Sequence, residues 1–276
     1  MSHPSTSKTD PVIEVIDLVK SFDGRRVLDG INMTVRRGET MVIMGGSGCG
    51  KTTLLKHLIG VHRPDSGTIA ILGKDITRMT MEELNEVRKR FGVNFQFGAL
   101  YNSMTVGENV ALPMVEHTNL SRSVIDIMVK MKLELVGLRD FENLKPAQIS
   151  GGMKKRVALA RAIALDPDIL FYDEPTSGLD PITTGVIDQL IMDLSRKLGV
   201  TSVVVTHDMG SAFRIADRMV MLYQGKVVAS GAPEEVRASD DALVQQFVTG
   251  APDGPIPLRP SKTDFLEDLI GPAQES

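Results

Sequence analysis

Cysteine is nearly absent: Cys49 is the only one in 276 residues, which excludes an intramolecular disulfide framework and suits a reducing compartment. Long apolar runs are missing as well. Nothing approaches the roughly 18 consecutive apolar residues of a membrane helix, and the polar start MSHPSTSKTD has no apolar core of a secretion signal. The chain is therefore expected in the cytosol, reaching a membrane only through a partner. There is no basic excess either. A formal net charge of −4 and a pI near 5.8 speak against nucleic-acid binding, and the local run Lys154-Lys155-Arg156 reads as a solvated helix face. What is present is 42% apolar and 24% charged residue in 30.0 kDa, enough to bury a core in one large domain or two lobes rather than leave a disordered chain.

Three short, β-branched and partly alternating segments, VIEVIDL (12–18), INMTV (31–35) and TIAILG (68–73), are separated by turns such as Phe22-Asp23-Gly24 and predict an antiparallel lobe. The runs TMVIM (40–44), ILFYD (169–173), TSVVVT (201–206) and MVMLY (219–223) are almost continuously apolar, as strands buried on both faces are. Helical patterns follow several of them and predict a parallel α/β core. The stretch between these groups has no good strand signal. There Val124, Ile127, Met128, Met131, Leu135 and Leu138 recur at helical spacing, and a second helix is expected from Ser150 past Leu165. A helical subdomain, about residues 97–165, is thus expected between the first and second core strands. Residues 1–11 read as a flexible N-terminus, 12–245 as the main domain and 246–276 as a tail. That tail carries four prolines between Ala251 and Pro260 and then a short amphipathic piece, Asp264 to Ile270; it is either disordered or docked on a partner. The 15 scattered methionines read as core filler.

Residues 45–53, GGSGCGKTT, put four glycines into nine residues between a strand and a helical pattern. Gly45 to Thr52 match GxxxxGK[ST] in the context that this motif needs. Gly45, Gly46, Gly48 and Gly50 let backbone N–H groups curl round phosphates, with Ser47 and Cys49 as the intervening residues. The helix N-terminus adds positive potential, Lys51 reaches the terminal phosphates, and Thr52, followed by Thr53, offers a hydroxyl to Mg²⁺. A phosphate cradle needs a metal-binding carboxylate, and the strand Ile169–Asp173 supplies one at its carboxyl end. Asp173 can hold Mg²⁺ through water, and Glu174, one residue on, can polarise an attacking water.

Around this site the order of motifs resembles that of the ATP-binding-cassette (ABC) ATPases. Ile149-Ser150-Gly151-Gly152-Met153 resembles the LSGGQ signature, Gln96 the Q-loop glutamine, Ser177-Gly178-Leu179-Asp180 the D-loop, and His207 the switch histidine. Phe22 falls where the family places an aromatic on adenine; packing in a turn is its competing reading. The resemblance spans roughly residues 12–245. It implies an α/β fold: a P-loop NTPase ABC ATPase core with an N-terminal antiparallel β lobe and an inserted helical subdomain. It implies ATP and Mg²⁺ as cofactors, with Phe22, Gly45 to Thr53, Ser150, Gly151, Gly152 and Asp180 at the nucleotide. Glu174, His207, Gln96 and Lys51 would serve catalysis, and Thr52, Gln96 and Asp173 the metal. In the family the signature touches ATP held by a second copy, giving a head-to-tail dimer. Met153 replaces the usual glutamine, a change expected to spare activity because the Ser-Gly-Gly backbone supplies the phosphate contacts.

The spacing narrows the type. Lys51 and Ser150 stand too close, without sustained heptads, for the coiled-coil insertions of DNA-repair relatives, and there is one set of motifs rather than two. The pattern resembles the energising subunit of a bacterial transporter whose permease is a separate chain. The stretch from Gln96 to Val106, QFGALYNSMTV, resembles a region of the ATPases that serve MCE-type lipid transporters, the Mla phospholipid system among them. The GGM signature ending, Asp180-Pro181-Ile182-Thr183 and Asp253-Gly254-Pro255-Ile256-Pro257 agree. This resemblance implies phospholipid movement between inner and outer membranes from the cytoplasmic face of the inner membrane. It also implies a permease, an MCE-domain subunit and a small cytosolic accessory protein as partners. Phe97, Leu100, Tyr101 and Met104 are expected to form a groove for a permease helix or a packed turn. An importer ATPase for polar solutes and a nucleotide-dependent assembly switch remain as alternatives.

Overall fold

The alternation in the first segments builds a sheet with one dry face. A computed structural model describes residues 11–256; residues 1–10, the tail from Pro257 and its amphipathic piece lie outside the described residues. β1 (Pro11–Phe22) and β2 (Arg25–Arg36) form an antiparallel hairpin whose inward residues, Ile13, Val15, Leu28, Ile31 and Val35, are buried. β4 (Ser66–Ile71) pairs antiparallel with β1, and the two-residue β5 (Lys74–Asp75) completes the order β2-β1-β4-β5.

The second sheet runs β10-β9-β3-β8-β7-β6. β3 (Thr40–Gly45), β7 (Ile169–Asp173), β8 (Thr201–Val205) and β9 (Arg218–Tyr223) are the four apolar runs, and their neighbouring pairs are parallel. β10 (Lys226–Gly231) closes one edge antiparallel. Successive side chains of this sheet enter two different cores. Val42, Met44, Leu170, Tyr172 and Val204 face helices, whereas Met41, Ile43, Phe171, Val203 and Val205 face the antiparallel lobe. Each such fully buried side chain contributes about 1.5–3 kcal/mol relative to exposure. α1 (Lys51–Leu58) and α2 (Met81–Arg88) lie on the lobe side. On the other side are α3 (Val106–His117), α4 (Arg122–Leu135), α5 (Gly151–Ala162), α6 (Pro181–Leu198), α7 (Met209–Ile215), α8 (Pro233–Arg237) and α9 (Ala242–Thr249).

Two sequence expectations need correction. The stretch without a strand signal contains β6 (Phe91–Asn94), parallel to β7 at the sheet edge, so the helices α3 to α5 enter after β6 and not directly after the first core strand. Four residues with a glycine among them carry no legible period. Gly92 is required because α5 ends against it: a Cβ there would lie 2.2 Å from the Ala162 carbonyl oxygen and 2.4 Å from a Leu170 methyl. Gly92→Ala is expected to destabilise the protein by about 1–3 kcal/mol, the usual range for overpacking. A thermal melt reads this as a lowered Tm, and an unchanged Tm would show that the helix end yields. Second, α5 stops at Ala162 instead of passing Leu165; Asp166 takes φ 49° and Pro167 bars continuation. The expected stripe of α4 turns mostly outward: Val124, Ile127, Met131 and Leu135 are exposed and Met128 is half-buried against the core, whereas Ile125, Val129, Lys132 and Leu133 are the buried residues of the helix and Leu138, beyond its end, is buried.

α9 runs across the expected boundary at 245–246. The side chain of Gln246 pins the start of the tail, accepting from the Ile256 amide at 2.6 Å and donating to the Ile256 carbonyl at 3.1 Å.

Candidate active site

Strand register brings the motifs to one edge of the central sheet. Ile43 is level with Val205, Val205 with Asp173, and Tyr172 with Asn94. These strands are parallel, so the segments that follow them emerge side by side: the glycine loop, Thr206-His207, Glu174, and Phe95-Gln96. The carboxyl edge of a parallel sheet is where α/β folds bind ligands.

Two glycines of the loop have no substitute. Gly45 and Gly50 take φ 148° and 106°, and an added Cβ would lie 2.3 Å from the Leu222 carbonyl oxygen or 2.9 Å from that of Val27. Between them Ser47 and Gly48 are exposed, Gly46 is half-buried, and Cys49 points inward, where burial raises its thiol pKa. The Lys51 ammonium is buried and donates to the carbonyls of Gly45 at 2.8 Å and Gly46 at 2.9 Å. It thus stands over the loop as a phosphate-binding lysine requires. Thr52 is exposed on the first turn of α1; Thr53 is half-buried, its carbonyl 2.7 Å from His57 Nδ1.

Asp173 ends β7 with Oδ1 buried and without a hydrogen-bond partner among the described residues. Desolvation, then the charge of Glu174, raises its pKa, with Lys56, Lys51 and Lys155 opposing. A buried carboxylate oxygen without a donor among the described residues and an exposed threonine hydroxyl at the start of α1 are hard oxygen ligands of the kind that fit Mg²⁺. Glu174 takes φ 48°, a conformation costing a non-glycine residue about 1–3 kcal/mol. Five hydrogen bonds hold it there. Its N–H donates to the Val205 carbonyl at 2.9 Å, and its carbonyl accepts from the Ser177 amide at 3.2 Å and from Lys155 Nζ at 3.3 Å. Its Oε2 lies 2.9 Å from His207 Nδ1 and 3.4 Å from the His207 amide. The Glu174 side chain is 12% exposed and that of His207 64%, so the pair bridges the protein interior and the open edge.

Gln96 opens a turn, 96–99, and is half-buried. α5 clamps this turn: Lys155 donates to the Gln96 carbonyl, and Arg161 to those of Gly98 at 2.6 Å and Ala99 at 2.8 Å. The basic run is therefore not a solvated face. Lys154 alone is exposed; Lys155 is buried, and Arg156 donates to the Val136 and Gly137 carbonyls. The sequence reading missed Lys155, although its i+3 and i+4 neighbours, Ala158 and Leu159, mark the buried stripe of α5.

Ser150 caps α5, its Oγ accepting from the Met153 amide at 3.2 Å, and Gly151 is exposed. Gly152 abuts α6, a Cβ there falling 2.6 Å from a Thr183 methyl. Asp180 caps α6: its carboxylate accepts from the Thr183 hydroxyl at 2.5 Å and from the amides of Thr183 and Ile182 at 3.0 Å, which lowers its pKa. Among the described residues no hydrogen bond joins Ser150, Gly151, Gly152 or Asp180 to the loop 45–53. Phe22 ends β1, 39% exposed, with the His62 ring edge-on at 5.6 Å and the Lys20 ammonium 5.4 Å from its centroid. Beside the 96–99 turn lies a groove of about 820 Å³ lined by Phe95, Ala99, Tyr101, Leu112, Pro113 and Arg161 among others. Of the four apolar residues expected there, Tyr101 lines it; Phe97 is 88% exposed, Leu100 packs on the helical-side core and half-buried Met104 is not part of the lining.

Comparison with known proteins agrees with this geometry. Residues 28–177 match the ABC transporter family. The chain is 45% identical over 259 residues to the intermembrane phospholipid transport system ATP-binding protein MlaF of Haemophilus influenzae, covering 94% of this chain and 98% of that one. It is 44% identical over 252 residues to the probable ribonucleotide transport ATP-binding protein mkl of Mycobacterium bovis, covering 91% and 70%. Among solved structures, a dimeric post-hydrolysis state of the ATP-binding cassette MJ0796, bound to ADP and Pi, shares 31% identity at a TM-score of 0.73, covering 80% of this chain and 98% of that one. A glycine loop at the strand edge, a paired Asp-Glu beyond it and near-full-length similarity lead to one assignment: the chain belongs to the ABC transporter family and is an ATP-binding, ATP-hydrolysing member of it.

Proposed function

We propose that the chain energises a transporter that moves phospholipid between inner and outer membranes and so maintains the lipid asymmetry of the outer membrane. The similarity to the Haemophilus relative, 45% over 94% of this chain, carries this reading. The chain sits at the cytoplasmic face of the inner membrane, held there by a separate permease that carries the lipid path; none of its described helices is long and apolar enough to cross a membrane. The groove beside the 96–99 turn suits a permease helix, and an MCE-domain subunit completes the assembly. The outward apolar face of α4 suits a small accessory protein.

The residues divide the work as follows. Phe22 stacks on adenine, and the N–H groups of 46–53 and Lys51 hold the phosphates. Thr52, Asp173 and Gln96 would hold Mg²⁺, which would supply positive charge to balance that of the phosphates. Glu174 orients and deprotonates the attacking water, with His207 fixing its carboxylate and reaching the open edge. Ser150, Gly151, Gly152 and Asp180, unconnected to the loop of their own chain, meet the nucleotide of a second copy. ATP binding then closes the dimer and hydrolysis opens it.

Affinity isolation of tagged protein from native membranes, with mass spectrometry of co-purified proteins and lipids, tests the assignment. The expected yield is a permease, an MCE-domain subunit and phospholipid. A permease with a soluble solute-binding protein and no lipid would replace it with a polar-solute importer, a reading for which the name of the mycobacterial relative is the motive.

A further inference from the structure

α5 serves two ends of the site at once. Its N-terminus bears Ser150, Gly151 and Gly152, and one turn on, its Lys155 is buried and makes no ion pair among the described residues, although the Glu174 and Asp173 carboxylates are near enough to favour its charge. An ammonium in such a place needs acceptors. Lys155 has two, and both are main-chain carbonyls: that of Gln96 in the turn after β6, and that of Glu174 after β7. The second of these residues is held in a left-handed conformation with its carboxylate on His207. The first belongs to the turn that Arg161, further along the same helix, also grips by its carbonyls, and Ala99 and Arg161 line the neighbouring groove.

We propose that Lys155 is a positioning residue for ATP hydrolysis: its ammonium ties the signature helix and the 96–99 turn to the backbone of Glu174. The proposal rests on the reading of Glu174 as the group that activates water. Through this tie a movement of α5 toward a second copy's nucleotide, or of the turn with whatever fills the groove, reaches the Glu174 main chain directly. Among the described residues the Lys155 ammonium donates only to main-chain carbonyls. It acts by setting where the Glu174 carboxylate points, and a misplacement near 1 Å costs about 10²-fold in rate.

The test uses the full-length protein co-purified with its membrane partners, steady-state phosphate release, the Kd for MgADP and a thermal melt. Lys155→Met keeps the length and removes the donor; Lys155→Arg keeps charge and donors; Glu174→Gln is the control. The expected result for Lys155→Met is a kcat about 10²-fold lower with KM and Kd changed less than about 3-fold, and for Lys155→Arg a return to within about 5-fold of the parent. A folded Lys155→Met protein with kcat within about 3-fold of the parent would overturn the proposal. So would joint loss of kcat, affinity and Tm without recovery in Lys155→Arg, because Lys155 would then only pack the helix. If Lys155→Met does not fold, Lys155→Gln takes its place, and failure of both to fold also assigns a packing role. Undiminished turnover in Glu174→Gln would instead overturn the reading of Glu174, whereas a silent Glu174→Gln beside an active Lys155→Met removes the tie alone.

Discussion

Glu174→Gln is expected to lower ATP turnover by about 10²–10⁴-fold, the usual worth of a general base. The exchange is nearly isosteric, so the left-handed backbone, its N–H bond to Val205 and the contact with His207 can all persist. Only the ability to take a proton is lost. Nucleotide affinity should stay within a few-fold, and ATP-dependent dimerisation should be prolonged because the closed state is not discharged. Phosphate release under saturating MgATP and size-exclusion chromatography with ATP check the two halves. Turnover equal to the parent's would remove Glu174 from catalysis and favour a role as anchor for His207.

Lys51→Met should act at the earlier step. The Lys51 ammonium crosses the glycine loop to the Gly45 and Gly46 carbonyls, which fix it over that loop. Hydrogen bonds to charged groups contribute about 1.5–3 kcal/mol each. The variant is thus expected to lose about 10- to 100-fold in MgATP affinity, read by isothermal titration, with turnover falling further because the phosphate charge is left unbalanced. Affinity within 2-fold of the parent would mean that the loop amides alone hold the phosphates, about 0.4 kcal/mol being all that the lysine adds.

Much of this architecture was legible in the chain because it depends on local pattern. Four apolar runs marked β3, β7, β8 and β9, and the glycine loop announced itself by composition and by its strand and helix neighbours. What escaped depends on contacts distant in sequence. β6 is four residues long and owes its glycine to the end of α5. Glu174 and His207 could each be singled out, but that they touch follows from the level pairing of Asp173 with Val205. Lys155 looked like one charge in a solvated run because its acceptors, Gln96 and Glu174, lie on other elements. The apolar residues of α4 showed helical period without showing which way that face turns, and its outward stripe is a tertiary fact.

The central strands divide their side chains between two cores, with Phe171 and Val203 on one side and Leu170 and Val204 on the other. Neighbours along one strand therefore share a backbone and few packing partners. Stability changes should add for substitutions taken from opposite faces and couple for those taken from one face. In an evolving lineage the helical face could then drift with its membrane partners while the lobe that bears Phe22 keeps its own constraints, one chain accumulating change at two independent tempos.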